Sequence, residues 1–220
     1  MTTLLLRLSG PMQSWGTQSR FDVRDTGYEP SKSGVVGLLC AALGRPRHQP
    51  VDDLARLEMG ARVDRQGTLQ RDYHTAGKGG FYRVSGVVER KSLIESTRYY
   101  LADAIFLVGL AGDADLLDDL FHALRDPVWM LYLGRKAFVP GEPIWLPDGL
   151  RHGEGLMQAL RVYPWLGHGG GPPDQLRVVR DAPDGEIVRY DTPVSFDRRE
   201  FLPRRIAVEF IPVQPVDEEG

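Results

Sequence analysis

The segment PSKSGVVGLLCAALGRP, residues 30–46, constrains the fold more than any other part of the chain. Ser31 or Ser33 can cap a helix here, and Gly44 with Pro46 can end it. Between those signals the residues are apolar nearly all round, so the helix has no face to leave in water. It must be covered by other elements, and their order along the chain indicates which. A strand is expected at about 3–8, followed by a polar and charged loop over 10–30. After the helix, a strand at 58–64 (EMGARVD) turns through Gln66 and Gly67 into another at 68–74 (TLQRDYH), the spacing of a hairpin. Residues 99–110 (YYLADAIFLVGL) read as one buried strand. Residues 112–127 read as an amphipathic helix with Leu116, Leu117, Leu120, Phe121 and Leu124 on its apolar face and an acidic first turn that suits the positive helix end.

This order predicts an α+β fold of the ferredoxin-like, split βαβ kind, an antiparallel sheet covered on one face by two helices. Residues 75–97, rich in Gly and Ser with interspersed Arg and Lys, show no sustained period and read as an excursion from the core. Residues 137–203 read as loop-rich, with GHGGGPP at 167–173 and a hairpin around 176–191, and 204–213 as a last strand. The expected organisation is a domain over 1–138 with an insertion at about 75–97, and a loop-rich β extension over 139–220 packed on the same domain.

No run of eighteen apolar residues occurs, and no basic-then-apolar leader opens the chain, which predicts a soluble, cytoplasmic protein. Cys40 is the single cysteine, so an internal disulfide is excluded, and its apolar setting predicts a buried hydrophobe. The five histidines show no metal-ligand spacing, no phosphate loop or nucleophile elbow is present, and neither metal nor cofactor is expected. Charge is uneven: residues 1–100 carry 15 Lys and Arg against 10 Asp and Glu, whereas the remainder carries 12 against 20. A basic N-terminal half suits an anion such as nucleic acid, although scattered solvated charge gives the same count.

Ferredoxin-like sheets often serve as RNA platforms, but the aromatic sheet-face motif is absent, so loops would carry any binding. In LLLRLSGPMQSWG, Gln13, Ser14 and Trp15 follow a strand end directly. Trp15 is either a stacking platform for a base or a core residue. Ser31, Lys32, Ser33 and Gly34 lie at a helix start, where free N–H groups favour an anion; plain N-capping with a solvated lysine fits equally. Arg71, Tyr73 and His74 end a strand, and Arg135 with Lys136 follow a glycine that allows close backbone approach to a ligand.

The blocks LRLSGPMQSWG, PSKSGVVGLLCAALG, RDYHT, RYYLADAIFLV and YLGRKAF occur in this order over roughly residues 4–138. Together they resemble the CasD family of the RAMP superfamily, subunits of the type I-E CRISPR surveillance complex Cascade. The resemblance implies a ferredoxin-like RAMP domain with a protruding thumb hairpin at about 75–97. It implies a non-catalytic, RNA-binding role in antiviral defence: holding the 5′ handle of the CRISPR RNA at one end of the ribonucleoprotein complex, against the CasC backbone and the large CasA subunit, with target DNA in reach. Gln13, Ser14 and Trp15 would then lie beside the handle. The matched motifs also nominate Ser31 to Gly34, Arg71, Tyr73, His74, Arg98, Tyr99, Arg135 and Lys136, while Arg83, Arg90 and Lys91 rest on composition. An alternative is metal-independent cleavage of repeat RNA, as RAMP relatives in type I-C systems perform, by Tyr73, His74 and Lys78. Adjacent strand residues point to opposite faces, which weighs against it, and in type I-E systems CasE makes the cut.

Overall fold

Alternation in the first strand sorts its leucines into two cores. A computed structural model describes residues 1–16, 22–83, 85–90, 92–169 and 171–213. In chain order the elements begin with β1 (Thr2–Ser9), β2 (Met12–Gln13), β3 (Val23–Arg24), α1 (Lys32–Leu43), α2 (Asp52–Ala55) and β4 (Glu58–Arg65). They continue with β5 (Thr68–Ala76), β6 (Phe81–Tyr82), β7 (Val88–Glu89), β8 (Ile94–Ala102), β9 (Ile105–Gly112) and α3 (Ala114–Arg125). The last are β10 (Trp145–His152), α4 (Leu156–Val162), β11 (Gln175–Asp181), β12 (Ile187–Ser195) and β13 (Glu200–Pro212).

The main sheet has seven strands in the order β10-β1-β9-β4-β11-β13-β12, with every pair antiparallel. Leu4, Leu6 and Leu8 of β1 join Phe106, Val108 and Leu110 of β9 beneath α1 and α3. Leu5 and Leu107 point the other way, into a second core with Leu156, Ala159 and Leu160 of α4. Period-two alternation in a strand buried on both faces produces this division. Each buried leucine contributes roughly 1.5–3 kcal/mol relative to exposure. Helix α1 begins and ends where expected, with the Ser31 side chain accepting from the Gly34 N–H and Gly44 at φ 66° closing it. In α3, Leu117, Leu120 and Leu124 are buried, and Leu116 and Phe121 pack partly against the same core.

Four expectations are corrected. The sheet is not covered on one face only, because α4 seats on the second face over Gly60 and Gly109, which lie opposite one another in register. A Cβ at Gly109 would stand 2.6 Å from Leu156 Cδ1 and one at Gly60 2.7 Å from Leu160 Cδ1, so these glycines make room for the helix. Second, β4 and β5 do not form a hairpin. Both edges of β4 are taken, by β9 and by β11, so the chain turns out of the sheet at Gly67 (φ 69°) and β5 pairs with β8 instead. Third, 99–110 is two strands in two sheets, broken at Asp103, whose φ of 56° is tolerated because a short polar side chain suits the left-handed region. Fourth, the excursion is an arm that begins earlier than residue 75: β5 and β8 pair from Thr68↔Ala102 to Ala76↔Ile94, and the β6–β7 hairpin lies beyond them.

Residues 137–203 hold more regular structure than loop-rich composition suggested. Strand β10 lies beside β1, and β11 lies beside β4, so one continuous sheet spans both sides of residue 138. Strand β13 runs between β11 and β12, so those two strands do not pair as the hairpin expected around 176–191.

A buried ion pair ties α4 to this sheet. Arg62 Nε and Nη2 donate to Asp64 Oδ1 and Oδ2, both at 2.7 Å, with the two side chains almost wholly enclosed. Arg62 Nη1 also donates to the Leu160 and Tyr163 carbonyls at 2.6 Å, closing the C-terminal end of α4, and the Leu166 N–H donates to Asp64 Oδ2. Removing one member strands the other charge away from water, so Arg62→Ala is expected to lower stability by about 3–5 kcal/mol in urea unfolding. A loss below about 1 kcal/mol would mean that water already reaches Asp64.

Burial pushes the Cys40 thiol up to about 11, against the pull of Arg45. The native protein should therefore not react with a thiol reagent at pH 8, and reaction should follow unfolding. The unfolded thiol, near 9.0, loses its proton first as pH rises. This contribution to stability is thus present below about pH 9 and lost as pH climbs towards 11.

Candidate nucleic-acid interface

Gln13, Ser14 and Trp15 lie inside the protein. Gln13 Nε2 donates to the carbonyls of Leu8 at 3.0 Å and Ala104 at 2.7 Å, and its Oε1 accepts from Trp15 Nε1 at 3.2 Å. The Ser14 hydroxyl donates to the Tyr99 carbonyl at 3.3 Å. The Trp15 side chain is 1% exposed and lies on Gly34, where a Cβ would stand 2.8 Å from Trp15 Cε3. A base has no face of this ring to stack on in this conformation. Of the two readings of Trp15 the structure favours the core, and the reason is α1 itself: a helix apolar all round needs a cover, and the tryptophan is part of it.

At the helix start the N-capping reading holds, but its lysine is not solvated. The helix N-terminus does face an anion, but one from the same chain: the Lys32 N–H donates to Asp191 Oδ2 at 2.8 Å. Lys32 is buried, with Nζ donating to Asp181 Oδ2 at 2.8 Å, and Arg204 binds both aspartates. Ser31 is the N-cap, also buried. Ser33 and Gly34 are partly accessible and face a groove along α1. Gly134 is likewise not placed for a ligand. At φ 89° it lies against the Ser14 carbonyl, and a Cβ there would come within 1.7 Å of that oxygen.

The arm residues divide. Arg71 is exposed opposite the half-buried Tyr99, and Asp72 lies opposite Arg98. His74 Nδ1 lies 2.7 Å from Asp72 Oδ2, two residues back on the same strand. Tyr73, 61% exposed, turns its hydroxyl to Glu95, and that hydrogen bond pushes the phenol above its ordinary value. Tyr73 and His74 are consecutive on one strand and held by different carboxylates, so with Lys78 they do not form a converging acid–base set, and a phenol made less acidic is a poor base. At the far end of the arm Arg83 is paired with Glu89, Arg90 is exposed, and Lys91 lies outside the described residues.

What the fold does gather is arginine. Strand β3 pairs parallel to β8, which sets Arg24 opposite Arg98. Arg135 Nη2 donates to the Arg24 carbonyl at 3.2 Å, and the guanidinium lies over the Phe138 ring, 5.4 Å from its centroid. Burial, followed by the charges of Arg98 and Arg24, holds Arg135 below its ordinary value, with Asp25 and Asp72 opposing in part. Lys136 is exposed on the same loop. Sequence reading nominated Arg98 and Arg135 but not Arg24, because parallel pairing to a strand some seventy residues away leaves no local pattern. Among the described residues no group of three His, Cys, Asp or Glu could hold a metal, and no helix is long and apolar enough to cross a membrane.

Gly134 sets the position of the Arg135 loop, so Gly134→Ala should both destabilise the fold and displace Arg135. A loss of about 2 kcal/mol or more in thermal or urea unfolding is expected from the backbone clash and the left-handed geometry together. An unchanged unfolding midpoint would refute this account of the loop.

Residues 3–210 match the protein family described as CRISPR-associated protein (Cas_Cas5). The chain is 34% identical over 158 residues to the CRISPR system Cascade subunit CasD of Escherichia coli (strain K12), covering 65% of this chain and 69% of that protein. Among solved structures, one described as a Cas protein superposes with a TM-score of 0.78 at 48% identity, covering 96% of this chain and 95% of that one. A chain of a CRISPR RNA-guided surveillance complex superposes with a TM-score of 0.81 at 34% identity, covering 96% and 90%. The match reaches well past residue 138, through the strands of the C-terminal half, and on this breadth the chain belongs to the Cas5 family of CRISPR-associated proteins.

Proposed function

We propose that this chain is a non-catalytic, RNA-binding subunit of a type I-E CRISPR surveillance complex, working in antiviral defence in the cytoplasm. It holds the 5′ handle of the CRISPR RNA and caps the backbone, with CasC and CasA as its neighbours. Its likeness to the CasD subunit and to a chain of an RNA-guided surveillance complex supports the complex. The strand order β10-β1-β9-β4 with α1 and α3 on one face supports a ferredoxin-like domain, and the β5–β8 arm with its β6–β7 hairpin supports the thumb.

The observation that carries RNA binding is the cluster of Arg24, Arg98 and Arg135. Three guanidiniums gathered on one surface repel each other, and Asp25 and Asp72 offset this only in part. A phosphate placed among them relieves the repulsion and accepts charge-assisted hydrogen bonds. Exposed Lys136, next to Arg135 in the chain, adds to the cationic surface, whereas Arg71 pairs with Tyr99 and points to the other face of the arm. Gln13 and Trp15 act by holding this surface in place rather than by touching RNA.

Fluorescence anisotropy with repeat-derived RNA tests the reading. Arg98→Glu and Arg135→Glu are each expected to weaken binding by about ten- to hundredfold. Each lost phosphate contact should flatten the slope of log K against log salt by roughly 0.7. Affinity and slope equal to wild type in both variants would refute the site. RNA should remain intact in chelator with wild type and His74→Ala alike; specific cleavage abolished by His74→Ala would instead make the chain the processing nuclease.

A further inference from the structure

A groove of about 480 Å³ runs along α1. Gly34 and Gly37, one helical turn apart, line it together with Trp129 and Phe201. Both aromatic side chains are partly in water, 46% and 38% exposed. Arg47 and Arg199 also line it, and among the described residues neither guanidinium makes a hydrogen bond or ion pair. Arg45 in the same groove, by contrast, is committed to Asp53 through two hydrogen bonds of 2.6 and 2.8 Å. Arg199 sits in the turn between β12 and β13 at φ 55°, a left-handed conformation that arginine rarely adopts.

We infer that this groove is a nucleotide subsite, taking one unstacked base of single-stranded RNA between its aromatic walls and the adjoining phosphate on Arg47 and Arg199. The inference rests on the RNA-binding reading above and extends it to a second place on the chain. The volume is in the range of small-ligand pockets and suits one nucleotide. An aromatic wall stacks on any base. Guanidiniums at the rim that have no partner among the described residues supply the charge that a phosphate needs and that an apolar peptide would not use. Gly134 lines the groove, and the next residue in the chain, Arg135, belongs to the arginine cluster. A strand of RNA can thus run from one to the other along the 132–136 loop.

The test uses the full chain and single-stranded repeat RNA carrying one 4-thiouridine at successive positions, with photo-cross-links mapped to peptides by mass spectrometry. One RNA position should cross-link to the peptides holding Trp129 or Phe201. Gly37→Leu fills the groove at a site where a Cβ meets only Phe196 Cζ at 3.7 Å, and an unfolding midpoint equal to wild type is the control that the helix still folds. The substitution should abolish that cross-link and weaken RNA binding roughly tenfold, as should Trp129→Ala. If Gly37→Leu binds RNA like wild type while Arg135→Glu does not, the subsite is overturned and the RNA-binding reading stands. If wild type binds no RNA, both fall. If Gly37→Leu leaves RNA affinity intact but loses co-purification with its partner subunits, the groove is a protein interface and the inference is wrong.

Discussion

The contact on which the rest of the structure depends is the seating of Trp15 on Gly34. It covers the start of a helix that has no polar face, and it draws three separate segments to one point. Gln13 bridges the end of β1 and the start of β9 through the Leu8 and Ala104 carbonyls, Ser14 reaches Tyr99 on the arm, and the Ser14 carbonyl receives Gly134. The base of the arm, the helix and the loop bearing Arg135 are therefore held relative to each other by packing and satisfied hydrogen bonds. The cationic surface lies on the outside of this junction. Its geometry is a consequence of the core beneath it.

A second set of constraints joins the two charge-asymmetric halves. Glu29 binds Arg177 and Arg189, while Lys32, Asp181, Asp191 and Arg204 form one connected cluster. These are largely buried charges, each with opposite charges and hydrogen bonds around it, which is the condition under which charge is tolerated inside a protein. Part of the acidity of the C-terminal half is thus spent internally on the N-terminal half. Asp181 also accepts from the Met59 N–H, so the same carboxylate fixes the start of β4. The helix N-terminus that seemed open to a phosphate is closed by Asp191.

Local signals in the sequence were reliable where the physics is local. The caps of α1 at Ser31 and Gly44, the amphipathic α3, and the burial of Cys40 all follow from residues within a few positions of one another. The β4–β5 hairpin failed because its competitor, β11, is more than a hundred residues away, and a strand whose edges are both taken cannot pair with its neighbour. The apolar run across 99–110 hid a break because Asp103 changes direction without interrupting hydrophobicity. For the candidate site, Arg98 and Arg135 could be nominated from motif position, whereas Arg24 depended on a parallel pairing and the groove on loops that meet only in three dimensions.

By itself the sequence determined the membership of the family, the main helices, and the residue types from which a cationic surface could be made. Caps, periodicity and ordered motif blocks are properties of neighbouring residues and survive without a fold. Only the tertiary structure decided which of those residues are committed to the chain itself and which are left on its surface. Trp15 and Lys32 carry the chemistry of RNA contacts, and the interior uses the same chemistry: an aromatic ring covers apolar surface as readily as it stacks on a base, and a lysine pairs with aspartate as readily as with phosphate.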